Sequence, residues 1–304
     1  YYDLVKTQLP YLSDEQILLE PFRRNTAPCI AYAAYKIDKL NPEANVVVVP
    51  ADHVILRPQI FAQNIKTALA FTQNSESVVT LGIKPSRPDT GYGYIQVKDK
   101  NAKEEVKLVQ TFTEKPSLEL AQSFLESGDF LWNAGIFIWN AKTIIKGFEK
   151  YQSLIAELFG EIQQYLYTPK EADAVRKAYS QCHPISIDNG IMENARDIYV
   201  IACDFGWSDL GTWKSYYEVS EKNKDGNVLD GKVHTYDSTN CIVKTPKDQL
   251  VVLQGLDNYI VVQQGNALLI CQKDKEQNIK QYLQKAIEEE GDDFAYFKTY
   301  EIHE

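Results

Sequence analysis

The sequence has no run of basic residues, no C-x-x-C pair and no apolar stretch long enough to span a bilayer. With 32 Lys and Arg against 42 Asp and Glu, the formal net charge is −10. That balance argues against a nucleic-acid surface and reads as solubility. A few local Lys and Arg can still meet phosphates. The five cysteines (Cys29, Cys182, Cys203, Cys241, Cys271) are scattered and odd in number. They read as reduced core thiols of a cytoplasmic protein. The opening residues, Tyr1-Tyr2-Asp3-Leu4, have neither a Met nor the makeup of a signal peptide. The expectation is a cytoplasmic chain with no nucleic-acid and no membrane partner.

What is present suits a globular protein. The chain has 304 residues, 44% of them hydrophobic and 24% charged, enough for one large core and a smaller appendage. Residues 26–40 have helical apolar spacing, and 46–49 read as a buried strand. Residues 61–72 are helical again, and 78–83 form the next strand. This rhythm predicts a mostly parallel sheet with helices on both faces. After a Pro- and Gly-containing loop at 85–93, strands are expected at 94–97 and 107–112. A helix follows at 118–127. The aromatic and β-branched run 130–139 reads as a core strand. Helices are expected at 141–159, 169–179 and 213–219, and a strand at 198–203. From about Asp225 short β runs separated by turns replace this rhythm, which suggests a small β-roll or β-helix. A charged helix is expected at 277–290. The division is a core over 1–224 and a second domain over 225–304.

Two short acidic stretches stand out. In Val46-Val47-Val48-Val49-Pro50-Ala51-Asp52-His53, an apolar strand ends where a carboxylate begins. Ligands of open α/β sheets sit beyond the carboxyl ends of the strands. In Trp207-Ser208-Asp209-Leu210-Gly211-Thr212-Trp213, a turn holds a carboxylate against aromatic neighbours. Two such carboxylates can hold one hard divalent cation, with phosphate oxygens and water completing its shell. A lone Asp after a strand is more often a helix cap or turn residue.

These segments, with Glu114-Lys115-Pro116 between them, occur in an order that resembles the sugar-phosphate nucleotidyltransferases. Glu20-Pro21-Phe22-Arg23-Arg24-Asn25-Thr26-Ala27-Pro28 is similar to the mannose-1-phosphate guanylyltransferases within that family. The resemblance runs from the first residues to about Gln284. It implies a Rossmann-like (GT-A-like) α/β nucleotidyltransferase domain and a short left-handed β-helix used for homodimer packing. The implied reaction transfers GMP from GTP to mannose 1-phosphate, giving GDP-mannose and pyrophosphate. Mg2+ is the implied cofactor, with Asp52 and Asp209 its ligands.

By the same resemblance, Lys115 takes the sugar phosphate and Glu114 the sugar hydroxyls. An ammonium offsets phosphate charge, and a carboxylate accepts hydroxyl bonds. Alone, the pair equally reads as surface charges before a turn. Gly91-Tyr92-Gly93 lets backbone approach a ligand, or forms a hairpin loop. Asn133, next to Ala134 and Gly135 in an apolar strand, needs partners that a sugar or a bulged backbone supplies. Asp188 and Glu193, in Ser186-Ile187-Asp188-Asn189-Gly190-Ile191-Met192-Glu193, are implied sugar contacts or supports for them. The family's usual Lys after this Glu is replaced by Asn194. Arg24, Asn25 and Thr26 are implied base and ribose contacts, and Asn25 or Thr26 also suits a helix cap. Arg23 stands where many relatives have Gly.

No Gly-rich phosphate loop with Arg and Lys occurs between Tyr1 and Glu304. Relatives carry that loop, with a first strand, upstream of the point matching Tyr1. The expectation is that the 304 residues alone are inactive. Two further readings stay open: a related enzyme for another sugar or base, and a non-catalytic sugar-nucleotide-binding fragment or regulator.

Overall fold

A computed structural model describes residues 1–290 apart from 74, 100, 102 and 266. The chain divides into two compact units, Tyr1–Ala51 with Ile55–Trp207, and Asp52–Val54 with Ser208–Glu304. In chain order the first contains α1 (Tyr2–Gln8), α2 (Thr26–Leu40), β1 (Asn45–Val48), then, after β2 (Val54–Ile55), α3 (Pro58–Thr72), β3 (Val78–Ile83), β4 (Tyr94–Val97) and β5 (Val106–Thr113). It continues through α4 (Leu118–Ser127), β6 (Phe130–Asn140), α5 (Ala141–Tyr151), α6 (Ser153–Ile162), α7 (Glu171–Gln181) and β7 (Ile198–Cys203). The chain passes between units after Ala51, within β2 and within β8 (Trp207–Ser208).

Six strands form one sheet in the order β1-β6-β3-β7-β5-β4, and β4 also pairs β6. β3 and β7 run parallel, while the β1–β6, β3–β6, β5–β7 and β4–β5 ladders are antiparallel. Those pairings make β1, β3, β4 and β7 point one way and β5 and β6 the other. The sheet is thus mixed, with the shared direction in the majority. β6 forms because its alternating Trp, Phe and Ile side chains bury on both faces: Ile136, Phe137, Ile138 and Trp139 are all within 2% of full burial. One core packs Phe137 and Trp139 against α2, α5 and α6, and another packs Ile136 and Ile138 against Ala68 of α3. The helical run expected over 141–159 breaks at Gln152, whose backbone leaves the helical conformation (φ −139°, ψ 57°) and whose side chain donates to Gly190 C=O.

The second unit holds α8 (Trp213–Val219), β9 (Val228–Asp230), β10 (Lys232–Tyr236), β11 (Ile242–Lys244), β12 (Leu250–Gln254), β13 (Tyr259–Gln264), β14 (Ala267–Gln272) and α9 (Ile279–Glu290). β9, β11 and β13 stack in parallel on one side, β10 and β12 on another, and β14 closes the larger sheet antiparallel. Successive coils therefore stack as in a β-helix. Corners at Asp237, Asn240 and Asn258 adopt positive φ, which Asn and Asp tolerate best among residues with a side chain. Residues 291–304 of the domain expected over 225–304 lie outside the described ones. Among the described residues no helix is long and apolar enough to cross a membrane.

Candidate active site

Several of the motif residues converge in the first unit. β6 bulges against β3, where the register jumps between Thr80 and Gly82, and Gly135 has a φ of +68°. The buried Asn133 side chain lies beside this bulge. Its Oδ1 accepts from the Thr80 hydroxyl at 3.2 Å and from Gly135 N–H at 3.1 Å. Its Nδ2 donates to Asp188 Oδ1 at 2.9 Å.

Asp188 opens a single π-helical turn, Asp188–Met192. Its carboxyl is pushed up to about 6, first by burial and then by the charge of Glu114, against the opposing pull of the Asn133 bond and Lys115. Glu193 ends that turn. Its Oε1 accepts from Glu114 N–H at 3.1 Å and its Oε2 from Asn189 Nδ2 at 3.0 Å. Glu193 thus holds the backbone of the Glu-Lys pair.

Glu114 itself is largely covered and ion-pairs with Lys115 Nζ at 2.6 Å, while the Lys115 side chain is 63% exposed. That pair holds the Lys115 ammonium above its ordinary pKa. Lys115 has a φ of +46°, an uncommon conformation for a residue with a Cβ. The Gly91–Gly93 loop fixes it there. Tyr92 C=O accepts from Lys115 N–H at 3.2 Å, and Gly93 C=O accepts from Asn133 N–H at 2.8 Å. A Cβ on Gly93 would stand 2.5 Å from Glu114 Oε2, so only glycine leaves that carboxylate its place.

Two residues that the motifs did not single out organise this loop. Buried Asp89 takes the Arg87 guanidinium through Nε and Nη2, both at 3.0 Å, and accepts from Gly91 N–H at 2.9 Å. The guanidinium also lies 5.1 Å from the Trp132 ring centroid. A charge pair so close to a Gly-x-Gly was the available signal. Tyr92 meets Trp132 and Trp207 edge-on, with centroids 4.9 and 5.4 Å apart.

Arg24 and Thr26 are tied to the segment that precedes Asp188. Asn25 caps α2 by accepting from Thr26 N–H at 2.8 Å. Thr26 Oγ1 accepts from Ile187 N–H at 2.9 Å, and Arg24 C=O from Ile185 N–H at 3.2 Å. Arg24 Nε donates to Tyr179 C=O at 3.1 Å. Asn25 and Thr26 remain solvent-exposed.

The two aspartates belong to the second unit. His53 Nε2 lies 3.9 Å from Asp52 Oδ1, and both Asp52 and Asp209 act electrostatically on that imidazole. Burial outweighs them and holds His53 below its ordinary pKa. Asp209 sits in a tight turn: its Oδ1 accepts from Gly211 N–H at 2.9 Å, and Leu210 has a φ of +52°. Among the described residues no group of three His, Cys, Asp or Glu is poised to enclose a metal. Asp52 and Asp209, the two carboxylates that act on His53, are donors of the kind Mg2+ takes, commonly one or two carboxylates plus substrate phosphates and water.

A cavity of about 390 Å³ borders Glu193, Met192, Phe112, Lys98 and Arg196. A larger one, about 550 Å³, lies between α6 and α7 and includes none of the motif residues. Its size alone gives it no chemistry.

The nucleotidyl transferase family model matches residues 2–226. The chain belongs to the nucleotidyl transferase family. Within this nucleotidyl transferase, residues 231–285 match a second model, the MannoseP isomerase/GMP-like beta-helix domain. The chain is 34% identical over 291 residues to a mannose-1-phosphate guanylyltransferase of Escherichia coli, covering 92% of this chain and 62% of that protein. It is 36% identical over 273 residues to the alginate biosynthesis protein AlgA of Pseudomonas aeruginosa, covering 88% of this chain and 56% of that one. The chain thus spans less than two thirds of the length of these relatives. A solved structure from Thermus thermophilus, titled as a mannose-1-phosphate geranyltransferase, superposes with a TM-score of 0.79 at 26% identity. That match covers 93% of this chain and 81% of the other.

Proposed function

We propose that this chain serves the transfer of GMP from GTP to mannose 1-phosphate, giving GDP-mannose and pyrophosphate with Mg2+. The observation that carries the reading is the gathering of Glu114, Lys115 and Asp188 around Asn133. A sugar phosphate offers Lys115 a dianion in place of one carboxylate. When Lys115 turns to it, Glu114 is released to accept sugar hydroxyls. Asp188, held by Asn133, supplies a second carboxyl for hydroxyl recognition. Asn25 and Thr26 retain the exposure that contact with a base or ribose requires, and Arg24 braces them.

An oxygen of the sugar phosphate forms a bond to the α-phosphorus of GTP, and the bond to the β-phosphate oxygen breaks as pyrophosphate leaves. The attacking phosphate is already ionised at neutral pH, so no general base is needed. Positioning and charge neutralisation carry the rate. Asp52 and Asp209 would hold Mg2+, whose charge reduces repulsion between the two phosphates. Homodimer packing through the C-terminal strands and a cytoplasmic setting belong to the same proposal. Exposed Leu250 and Val252 on β12 and Leu268 and Ile270 on β14 support the former.

A second reading is sugar-phosphate binding without turnover. The same gathering supports it: Glu114, Lys115 and Asp188 suit a sugar phosphate whether or not a nucleotide reacts with it. Pyrophosphate release, assayed across sugar 1-phosphates and nucleoside triphosphates, separates the two. Turnover selective for GTP and mannose 1-phosphate supports the first. Saturable mannose 1-phosphate binding without turnover supports the second, and absence of both sinks the two together.

A further inference from the structure

Asp209 and the C-terminal strands lie in one compact unit, and one carboxylate reaches from the end of those strands to the helix that follows Asp209. Glu276 belongs to the 3-10 segment Lys273–Asn278 that follows β14. Its Oε1 accepts from the backbone N–H of Trp213. The N–H of Lys214 faces both carboxylate oxygens, at 3.4 and 3.3 Å. These are donors of the first turn of α8, which has no intrahelical partners for them. Thr212 Oγ1 takes the next, from Ser215 N–H at 3.0 Å. The same 3-10 segment makes a second contact further along α8, with Lys273 Nζ 3.5 Å from the Tyr217 ring centroid.

α8 begins immediately after the Asp209 turn, and the link between them is stiff. Leu210 is held at a φ of +52°, Ser208 Oγ accepts from Leu210 N–H at 3.2 Å, and Asp209 Oδ1 accepts from Gly211 N–H at 2.9 Å. A Cβ on Gly211 would stand 2.6 Å from Asp209 Oδ2, so the carboxylate lies close over the glycine. Movement of the first turn of α8 therefore moves the Asp209 carboxylate.

We propose that Glu276 is a positioning residue for Asp209. From the C-terminal domain it anchors the first turn of α8 and thereby sets how Asp209 presents its oxygens to a divalent cation. This rests on the reading of Asp52 and Asp209 as cation ligands. The Glu276 carboxylate is engaged by the backbone of α8, with Oε1 accepting from Trp213 N–H and both oxygens facing Lys214 N–H. The β-helix-like domain then serves the chemistry through one hydrogen-bonded carboxylate.

The test uses the full chain and Mn2+ alone, with free Mn2+ read by electron paramagnetic resonance. Glu276→Gln should raise the Mn2+ dissociation constant roughly tenfold, as loss of a ligand-orienting partner does. Its Tm should stay near that of the parent. Lys273→Met removes the other contact between the same elements. It should lower Tm yet leave Mn2+ affinity as it was. Equal weakening of Mn2+ by both variants would mean general loosening and would overturn the role of Glu276. Unchanged Mn2+ affinity in Glu276→Gln, with loss in Asp209→Asn, overturns this inference alone. Unchanged affinity in both sinks the cation reading and the inference with it.

Discussion

Asn133 donates to the carboxylate of Asp188 at 2.9 Å, although the two residues lie 55 positions apart. The bond joins a bulged central strand to a π-helical turn. It also uses the only donor group of the Asn133 side chain, whose oxygen is already taken by Thr80 and Gly135. Asp188 is therefore held in one orientation before any ligand arrives, which lowers the ordering cost of binding.

The Asp188 carboxyl has a pKa of about 6 in the fold against 3.8 in the free side chain, chiefly from burial and then from Glu114. A folded pKa above the unfolded one means that the folded state keeps its proton longer. Stability is then lost as pH rises through the window from about 4 to about 6. At ~1.4 kcal/mol per pH unit, the loss is at most roughly 3 kcal/mol. Asp188→Asn, which cannot ionise, should gain stability relative to the parent across that window. Scanning calorimetry at several pH values checks this, and a pH-independent difference in Tm contradicts it.

Lys115→Met should weaken mannose 1-phosphate binding more than GTP binding. A lost charged contact costs about 1.5–3 kcal/mol, roughly tenfold to over a hundredfold in affinity. The ammonium also compensates Glu114 at 2.6 Å. Most of that side chain is exposed, so the fold should survive. Calorimetric titration with each ligand separates the effects, and equal weakening of both argues against a sugar-phosphate role.

Gly93→Ala should act through Glu114. The new methyl would meet Glu114 Oε2 at 2.5 Å and Asn133 Cβ at 3.3 Å. Overpacking of this kind costs about 1–3 kcal/mol. Because the displaced atom belongs to the carboxylate, sugar-phosphate affinity should fall more than stability does. A variant that loses Tm but binds mannose 1-phosphate as the parent does would contradict this.

Leu250 and Val252 are 66% and 60% exposed on alternate positions of β12. If they pack against a second copy, Leu250→Lys with Val252→Glu should convert dimer to monomer without loss of fold. Sedimentation velocity reads the outcome. A parent chain that is monomeric at all concentrations tested contradicts the homodimer.

Most of the fold was legible where one local signal dominated. The buried, mostly apolar run of β3 and the amphipathic α4, capped by Ser117 and ended by Gly128 at a φ of +70°, have the bounds their sequences predict. β10 escaped notice because Lys-Val-His-Thr-Tyr has no apolar run; it is a strand only because β12 pairs with it. The break at Gln152 depends on a bond to Gly190, distant in sequence. For the candidate site, Glu114, Lys115, Asn133 and Asp188 were each visible as a motif. Their convergence was not, since it arises from the β6 bulge and the docking of the Gly91–Gly93 loop. Asp89 and Glu276 were missed for the same reason: their importance lies in backbone donors that only the fold brings to them.

The central claim is that the first unit recognises a sugar 1-phosphate as one entity. Isothermal titration of the 304-residue chain with mannose 1-phosphate, inorganic phosphate and methyl mannoside tests it most directly. The account predicts saturable binding of mannose 1-phosphate, clearly tighter than either fragment and lost in Lys115→Met. Affinity for mannose 1-phosphate no better than for inorganic phosphate, or unchanged by Lys115→Met, would contradict it.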